Sequence, residues 1–410
     1  MPAFSSRGRR LTLRHRLAGL ASVAAILAVG LGVLTPGGAA RQVSAAAGGT
    51  YQFASVGALT GPAAQLGVAD LRGKQLAVKE INAAGGVNGR KFVLTKFDDQ
   101  CAPTQSAIVA SKIISNPSFV GVIGPICSSA AEASLPVYAR GHVEVVADVS
   151  APKITDQVAK NHYKFFARLS PKDSAQGIAM ATLAIKVLHK TKIAILYSTD
   201  DYGQGILQYA KPAVEKLGGT VVASETYTPT TTKDFTPQLT KIAGSGAEVI
   251  LVIGYYADTG VAVSQLARAG VSPDVQIICP DSTAHEGFVP LAGSAANGAL
   301  LIPFYWGSSP TPVNQKFVKA YTTMFHQTPN SNAVYGYEAV YAYAHALKAG
   351  ATQATLAAKL RAVHFLAPTG QIAFDSGGDL KGAGGIILKV TDGKLLPDMT
   401  LTSQLDKAMG

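Results

Sequence analysis

Short apolar runs alternate with amphipathic stretches along the chain from Tyr51 onward. The runs have the length and composition of buried strands, and the stretches carry apolar residues at helical spacing. This alternation predicts a parallel sheet with helices on both faces. In the first half, strands are predicted over 51–57, 91–97, 119–123 and 143–149, with helices over 71–82, over 106–115 and from about 128 onward.

A second series of the same kind begins after residue 174. It predicts helices over 175–189, 204–217, 235–243 and 260–269 and strands over 192–198, 220–225, 248–254, 275–279 and 299–303. Three helices follow over 312–326, 332–349 and 352–363, and extended segments over 370–374 and 386–390 flank a turn. The predicted fold class is α/β, with two similar doubly wound parallel-sheet lobes joined by a multi-strand hinge.

The number of elements predicts how the chain divides between the lobes. We expect crossings near 169, 303 and 376, so that lobe one holds 48–169 plus 304–375 and lobe two holds 170–303 plus 376–410. A chain of 410 residues is longer than a single hydrophobic core usually accommodates, which agrees with two domains. Lobes joined by several strands move about a hinge.

Residues 1–47 have the organisation of an export signal. Five Arg residues between 7 and 16 precede an apolar stretch over 17–34, and small residues follow at 39–47. A membrane anchor is the alternative, because about 18 apolar residues just reach spanning length. An Arg9-Arg10 pair leaves twin-arginine export open beside the general route. We therefore expect an exported, periplasmic or extracytoplasmic protein whose signal is cleaved.

Composition and charge exclude several classes of protein. Apolar residues make up 48% of the chain and charged residues 15%, which is unlike a disordered chain. Residues 1–50 contain six Arg and no Lys, Asp or Glu, so their removal lowers the net charge from +11 to +5. Without a basic cluster interleaved with aromatic residues, we expect no nucleic-acid partner.

Cysteine, histidine and glycine patterns limit the chemistry. The chain has no nucleophile elbow, zinc-protease motif or phosphate loop, and its eight His show no metal-ligand spacing. We predict no metal and no cofactor. Cys101 and Cys127 are candidates for a disulfide because each begins a helix after a neighbouring strand, whereas Cys279 is expected to be a buried small apolar residue.

Hydroxyl groups follow two successive predicted strands of the first series. Ser128 and Ser129 start a helix, and Ser150 follows the next strand in Ala-Asp-Val-Ser, which also contains Asp148. Each Ser could simply cap a helix. Two such junctions at the carboxyl ends of parallel strands favour an anion cradle of hydroxyls, backbone N–H groups and helix dipole.

Complementary groups follow strands of the second series. Tyr202 and Tyr255 offer apolar walls with polar rims, and Asp281 could bind an ammonium group. A carboxylate cradle on one lobe with a cation partner and aromatic walls on the other is suited to an α-amino acid.

Five motifs occur in the order typical of one family. They are Gly57-Ala-Leu-Thr-Gly-Pro, Asp98-Asp-Gln-Cys-Ala-Pro, Ile126-Cys-Ser-Ser, Tyr202-Gly-Gln-Gly and Gly378-Asp-Leu-Lys-Gly. Over about residues 51–395 the chain resembles the Leu/Ile/Val-binding family of type I periplasmic solute-binding proteins, the binding components of ABC importers.

The resemblance implies a function without catalysis. It implies capture of a branched-chain or other small apolar amino acid by hinge closure, with a membrane permease and ATPase subunits as partners, and we expect a monomer. It also implies a disulfide between Cys101 and Cys127. Ser128 and Ser150 would hold the ligand carboxylate, Asp281 the ammonium, and Tyr202 and Tyr255 would close the cleft.

Three positions depart from the branched-chain binders. Leu66 stands where an aromatic ring is usual, Ser150 where Thr is common and Asp281 where Glu is common. An amide, urea or another small polar solute is therefore an alternative ligand. An exported hydrolase using Cys127 or Ser128 is a second alternative, although no His follows a neighbouring strand, and a binding protein that serves a sensor is a third.

Overall fold

The computed structural model describes residues 49–382 and 385–410, so the predicted export signal lies outside the described residues. The strands are β1 (Thr50–Gly57), β2 (Lys91–Asp98), β3 (Phe119–Ile123), β4 (Glu144–Ala147), β5 (Phe166–Arg168), β6 (Lys192–Ser198), β7 (Thr220–Tyr227), β8 (Val249–Ile253), β9 (Gln276–Pro280), β10 (Leu300–Ile302), β11 (His364–Ala367), β12 (Gly370–Ala373), β13 (Leu388–Thr391) and β14 (Lys394–Pro397).

Helices connect most of these strands. They are α1 (Ala64–Ala83), α2 (Pro103–Ile114), α3 (Ser128–Gly141), α4 (Pro152–Lys160), α5 (Asp173–Thr182), α6 (Asp201–Lys216), α7 (Thr236–Ala243), α8 (Tyr256–Ser264), α9 (Phe288–Ala292), α10 (Pro312–Phe325), α11 (Ser331–Lys348), α12 (Leu356–Arg361) and α13 (Met399–Met409). A π-helical turn, Leu183–Val187, extends α5 to nearly the predicted length.

The first sheet is wholly parallel, with strand order β2-β1-β3-β4-β5. Successive residues of β1 point to opposite faces, so Phe53 packs with α1 and α11 while Ala54 packs with α2 and α3. Helices thus cover both faces, as the near-continuous apolar strands predict.

The second sheet has the order β14-β13-β10-β9-β8-β6-β7. Strands β6 to β10 are parallel to one another, but β13 runs antiparallel to β10 and β14 antiparallel to β13. Helices α5 and α6 cover one face and α7 and α8 the other. The prediction of a parallel sheet is therefore right except at this antiparallel edge.

The turn in the tail of the chain separates two sheets, at the position where a crossing was predicted near residue 376. The extended segments around residues 370–374 and 386–390 lie in different sheets, since β12 pairs with β11 in a hairpin of its own and β13 joins the second sheet. The sequence analysis also missed β5, β11, β14, α4, α9 and α13. These elements are short or terminal, and the periodic signal of a few residues is weak.

Two helices near the cleft begin earlier than the apolar pattern predicts. Helix α1 begins at Ala64, seven residues before the predicted start, and α6 begins at Asp201. Glycine lowers helix propensity, so Gly67 and Gly203 weakened the prediction. Both serve close packing: a Cβ on Gly67 would lie 1.9 Å from the Ala58 carbonyl oxygen, and one on Gly203 2.2 Å from Ser198 Oγ.

The ends of β5 and the turn after β12 lie side by side. Arg168 N–H donates to the Gly378 carbonyl oxygen (2.9 Å), and Arg168 Nε donates to Asp379 Oδ1 (2.7 Å). Arg168 is fully buried, and Lys172 Nζ lies 3.1 Å from Asp379 Oδ2. These contacts join two of the three segments where crossings between the sheets were predicted.

Candidate functional site

A disulfide ties together the loops after β2 and β3. Cys101 is bonded to Cys127, whose Cα lies 5.4 Å away, which confirms the predicted pair. Cys127 occupies the position before the first turn of α3. Cys279 is free and fully buried, as predicted, and burial raises the pKa of its thiol.

The carboxyl ends of both sheets face a small cavity of about 30 Å³. Seven of the eight predicted ligand-binding residues line it: Leu66, Ser128, Asp148, Ser150, Tyr202, Tyr255 and Asp281. Parallel strands present their carboxyl ends at one edge of the sheet, which explains why residues distant in sequence meet here.

The wall from the first sheet carries hydroxyls and one carboxylate. Ser128 is the first residue of α3, and its Oγ accepts a hydrogen bond from the backbone N–H of Ala151 (3.3 Å). Asp148 Oδ2 accepts a hydrogen bond from Asn332 Nδ2 (2.7 Å). Burial, reinforced by the negative charge of Asp70, raises the pKa of Asp148 well above its ordinary value.

The wall from the second sheet is built around two stacked tyrosines. The rings of Tyr202 and Tyr255 lie 5.0 Å apart with an interplanar angle of 26°. Tyr202 Oη donates to Asp281 Oδ1 (2.8 Å), and Ser282 Oγ lies 2.7 Å from Tyr202 Oη. Burial raises the pKa of the Asp281 carboxyl, and the Tyr202 hydrogen bond partly offsets this effect.

Ser129 lies away from the cavity. Its Oγ accepts a hydrogen bond from the backbone N–H of Asp201 (3.1 Å), at the start of α6. Lys153 pairs there with Glu132 (2.8 Å) and Asp201 (3.2 Å). Ser128 and Ser129 are adjacent in the first turn of a helix, so their side chains point in directions about 100° apart.

The sequence analysis missed further residues of the wall. Ser170 follows the unpredicted strand β5, so the strand-end rule could have found it once that strand was recognised. No strand-end signal marks the residues of α11. The other missed residues are Ile126, Val149, Ser282, Ser331, Asn332 and Tyr335.

Negative charge predominates around the cavity. No Lys, Arg or His is among the described residues that line it. Buried Lys74 lies nearby but is paired with Asp70 (2.5 Å) and donates to the Ile123 carbonyl oxygen (2.9 Å). Asp173 is fully buried, and burial raises its pKa well above the ordinary value although the Ser150 hydroxyl interacts with it.

The hydrolase alternative finds no support in this arrangement. Cys127 is held in the disulfide, and no His stands beside Ser128 in the described cavity wall to act as a base.

Residues 49–382 and 385–410 also contain no group of three or more His, Cys, Asp or Glu suited to a metal ion. Within the same ranges no helix has the length and apolarity to cross a membrane.

A larger cavity of about 760 Å³ adjoins the small one. Its wall includes Gln65, His285 and Asn330, which are sequence neighbours of residues in the small cavity. The described residues in its wall come mainly from helices and loops, such as Val68, Val289 and Pro329. We therefore place the candidate site in the small cavity, where groups from both sheets meet.

Comparison with known proteins identifies the family of the chain. A family model described as periplasmic binding protein matches residues 50–393. The chain belongs to this family. The chain is 31% identical over 336 residues to a leucine-, isoleucine-, valine-, threonine- and alanine-binding protein of Pseudomonas aeruginosa, a match that covers 81% of this chain and 87% of the relative.

Solved structures of family members share the fold. A leucine-binding protein from Thermotoga maritima has a TM-score of 0.78 and 23% identity, covering 85% of this chain and 98% of the other. An ABC transporter substrate-binding protein from Desulfitobacterium hafniense, solved in complex with Leu, has a TM-score of 0.70 and 26% identity, covering 85% and 100%. The predicted type I periplasmic-binding-protein fold is thereby confirmed.

Proposed function

We propose that this chain is the exported solute-binding component of an ABC importer and captures a small α-amino acid, branched-chain amino acids included. The observation that carries the proposal is the pair of complementary walls. Hydroxyls and a helix N-terminus lie on one sheet, and a carboxylate with two tyrosines lies on the other. The names of the relatives, which specify amino-acid ligands, support the ligand class.

The proposed ligand lies across the two walls. Its carboxylate accepts hydrogen bonds from Ser128 and Ser150 and interacts with the positive end of the α3 dipole. Its ammonium group donates to Asp281. A micromolar dissociation constant corresponds to about 8 kcal/mol, which a few charge-assisted hydrogen bonds and one buried side chain can supply.

Binding in this way requires hinge motion. A cavity of about 30 Å³ holds roughly two water molecules, so an amino acid can enter only when the walls separate. We propose that the sheets move as two lobes with the predicted boundaries, 48–169 plus 304–375 and 170–303 plus 376–410. Ser129 would then contact Asp201 when the lobes close, and it would not contact the ligand.

The closed form would be presented to a permease with its ATPases, as in other ABC importers. Export through the predicted signal at 1–47 places the protein where such a permease can reach it. An amide or urea is the alternative ligand, and the calorimetric titration described next tests it as well.

Calorimetric titration of the mature protein with a panel of amino acids, amides and urea tests the proposal. We expect at least one small amino acid to bind with a micromolar dissociation constant. Ser128→Ala should weaken that binding by about tenfold or more, since it removes a hydrogen bond to a charged group. Ser111→Ala, at an exposed position of α2 far from the cavity in the chain, is the matched control and should change it less than about threefold.

Binding of an amide or urea with no response to any amino acid would overturn the amino-acid proposal. Equal losses in the two Ser variants would contradict the proposed position of the carboxylate.

A further inference from the structure

Asp148 has an oxygen that faces the cavity without a protein partner. Asn332 Nδ2 donates to Oδ2, and no hydrogen bond within the described residues ends on Oδ1. Asn332 lies in the first turn of α11 and Asp148 directly follows β4, both in elements packed on the first sheet. The carboxylate is therefore held in place independently of hinge closure.

The hydroxyl of Tyr335, also in the cavity wall, is incompletely hydrogen-bonded, since Ser331 lies near it but outside normal hydrogen-bond geometry. Tyr335 lines the same cavity and is only 2% exposed, and its hydroxyl has no hydrogen-bond partner of normal geometry among the residues described. Buried hydroxyls in folded proteins are almost always hydrogen-bonded. Because Tyr335 lines the cavity, a polar atom of the ligand can complete the hydrogen bonding of this hydroxyl.

The cavity wall contains two carboxyl groups, those of Asp148 and Asp281, whereas one ammonium group requires only one carboxylate partner. Asp281 faces the cavity from the second sheet, where the ammonium is proposed to bind, and no described Lys or Arg in the wall neutralises Asp148. The nearest buried cation, Lys74, is already bound to Asp70. Burial, followed by the negative charge of Asp70, raises the pKa of Asp148, and the charge of Lys74 offsets this rise only in part.

We propose that Asp148 is a specificity-determining residue that accepts a hydrogen bond from the ligand side chain. This inference rests on the proposed function and refines its ligand class. The site then prefers a small amino acid with an O–H or N–H donor on its side chain, such as Thr or Asn, over the apolar amino acid of similar shape, Val or Leu.

The preference follows from the cost of an unpaired buried group. Val would displace water from Asp148 Oδ1 and from the Tyr335 hydroxyl without replacing the hydrogen bonds of that water. The Thr hydroxyl can instead donate to Asp148 Oδ1 and accept from the Tyr335 hydroxyl. Sites built to hydrogen-bond a ligand hydroxyl discriminate strongly against analogues that lack it.

Paired titrations test the inference. Dissociation constants are measured by calorimetry for Thr against Val and for Asn against Leu, with wild type and with Asp148→Ala. We expect wild type to prefer Thr and Asn by about tenfold or more. In Asp148→Ala the preference should fall to less than about threefold, chiefly through weaker binding of Thr and Asn.

Two further variants keep the test decisive. Asp148→Asn retains the shape and one acceptor, and should give an intermediate preference if Asp148→Ala fails to fold. Asp156→Ala removes an exposed carboxylate from α4 and should leave the preference unchanged.

The outcomes separate this inference from the proposed function. If wild type binds Val and Leu as tightly as Thr and Asn, the role of Asp148 is overturned while amino-acid capture stands. If Asp148→Ala weakens all four ligands equally, Asp148 binds the common ammonium group and does not set specificity. If no amino acid binds, both the inference and the proposed function fail.

Discussion

Glu338 is a fully buried carboxyl group that forms no ion pair within the described part of the chain. It lies on α11, and its two oxygens accept hydrogen bonds from the backbone N–H (2.9 Å) and the hydroxyl (3.0 Å) of Thr369, in the turn between β11 and β12. Burial raises its pKa from the ordinary value of 4.5 to about 8. The folded state thus favours the neutral form of this side chain.

This shift predicts a fall in stability between about pH 4.5 and pH 8. In that range the folded state binds more protons at Glu338 than the unfolded state, so the stability it contributes is complete below pH 4.5 and is lost as the pH rises through 8. Thermal melting at several pH values should show this fall in wild type and a flatter profile in Glu338→Gln. Equal slopes in both proteins would assign the pH dependence to other groups.

At the scale of elements, the disulfide joins two strand-to-helix junctions that frame the site. Cys101 precedes α2 and Cys127 precedes α3, so the bond holds the start of α3 against the neighbouring loop. Ser128 follows Cys127 directly, and its position in the cavity wall depends on where α3 begins. The bond therefore connects fold stability with the geometry of the proposed carboxylate cradle.

Replacing both cysteines, Cys101→Ser with Cys127→Ser, should lower the free energy of unfolding by roughly 3–4 kcal/mol, because the closed loop spans 26 positions. Urea denaturation of the mature protein measures the loss. Wild type in excess reductant should give a similar value. A loss below about 1 kcal/mol in both experiments would show that the bond does little for global stability.

At the scale of the whole molecule, a buried ion pair joins segments more than 200 residues apart. Arg168 ends β5, and Asp379 follows the crossing predicted near 376. Arg168 Nη1 also donates to the Ala151 carbonyl oxygen (3.0 Å), close to Ser150 in the cavity wall. The guanidinium group thus ties a crossing segment to the strand end that carries part of the site.

Asp379→Asn should destabilise the protein by about 3 kcal/mol, because removing one partner leaves a buried cation uncompensated. Urea denaturation measures the effect. Asp392→Asn is the matched control: Asp392 is exposed in a turn with φ of 48°, which Asn tolerates, so its stability should change little. Similar effects of the two substitutions would mean that the ion pair does not hold the crossing.

The site could be predicted as far as it follows strand ends. Ser128, Ser150 and Asp281 each come directly after an apolar run, and parallel pairing brings such positions to one edge. Asn332 and Tyr335 could not be found in this way. They reach the cavity because α11 packs along α1, a contact between segments about 260 residues apart that leaves no local signal.

The sequence alone determined the alternation of strands and helices, the α/β class and the strand-end positions of the polar groups, because these depend on local periodicity and turn chemistry. Only the tertiary structure decided the antiparallel pairing of β13 and the different surroundings of Ser128 and Ser129. Strand partners and helix faces depend on packing between distant segments. The hydrogen bond from Asn332 to Asp148, which occupies only one of the two carboxyl oxygens, depends on the same packing.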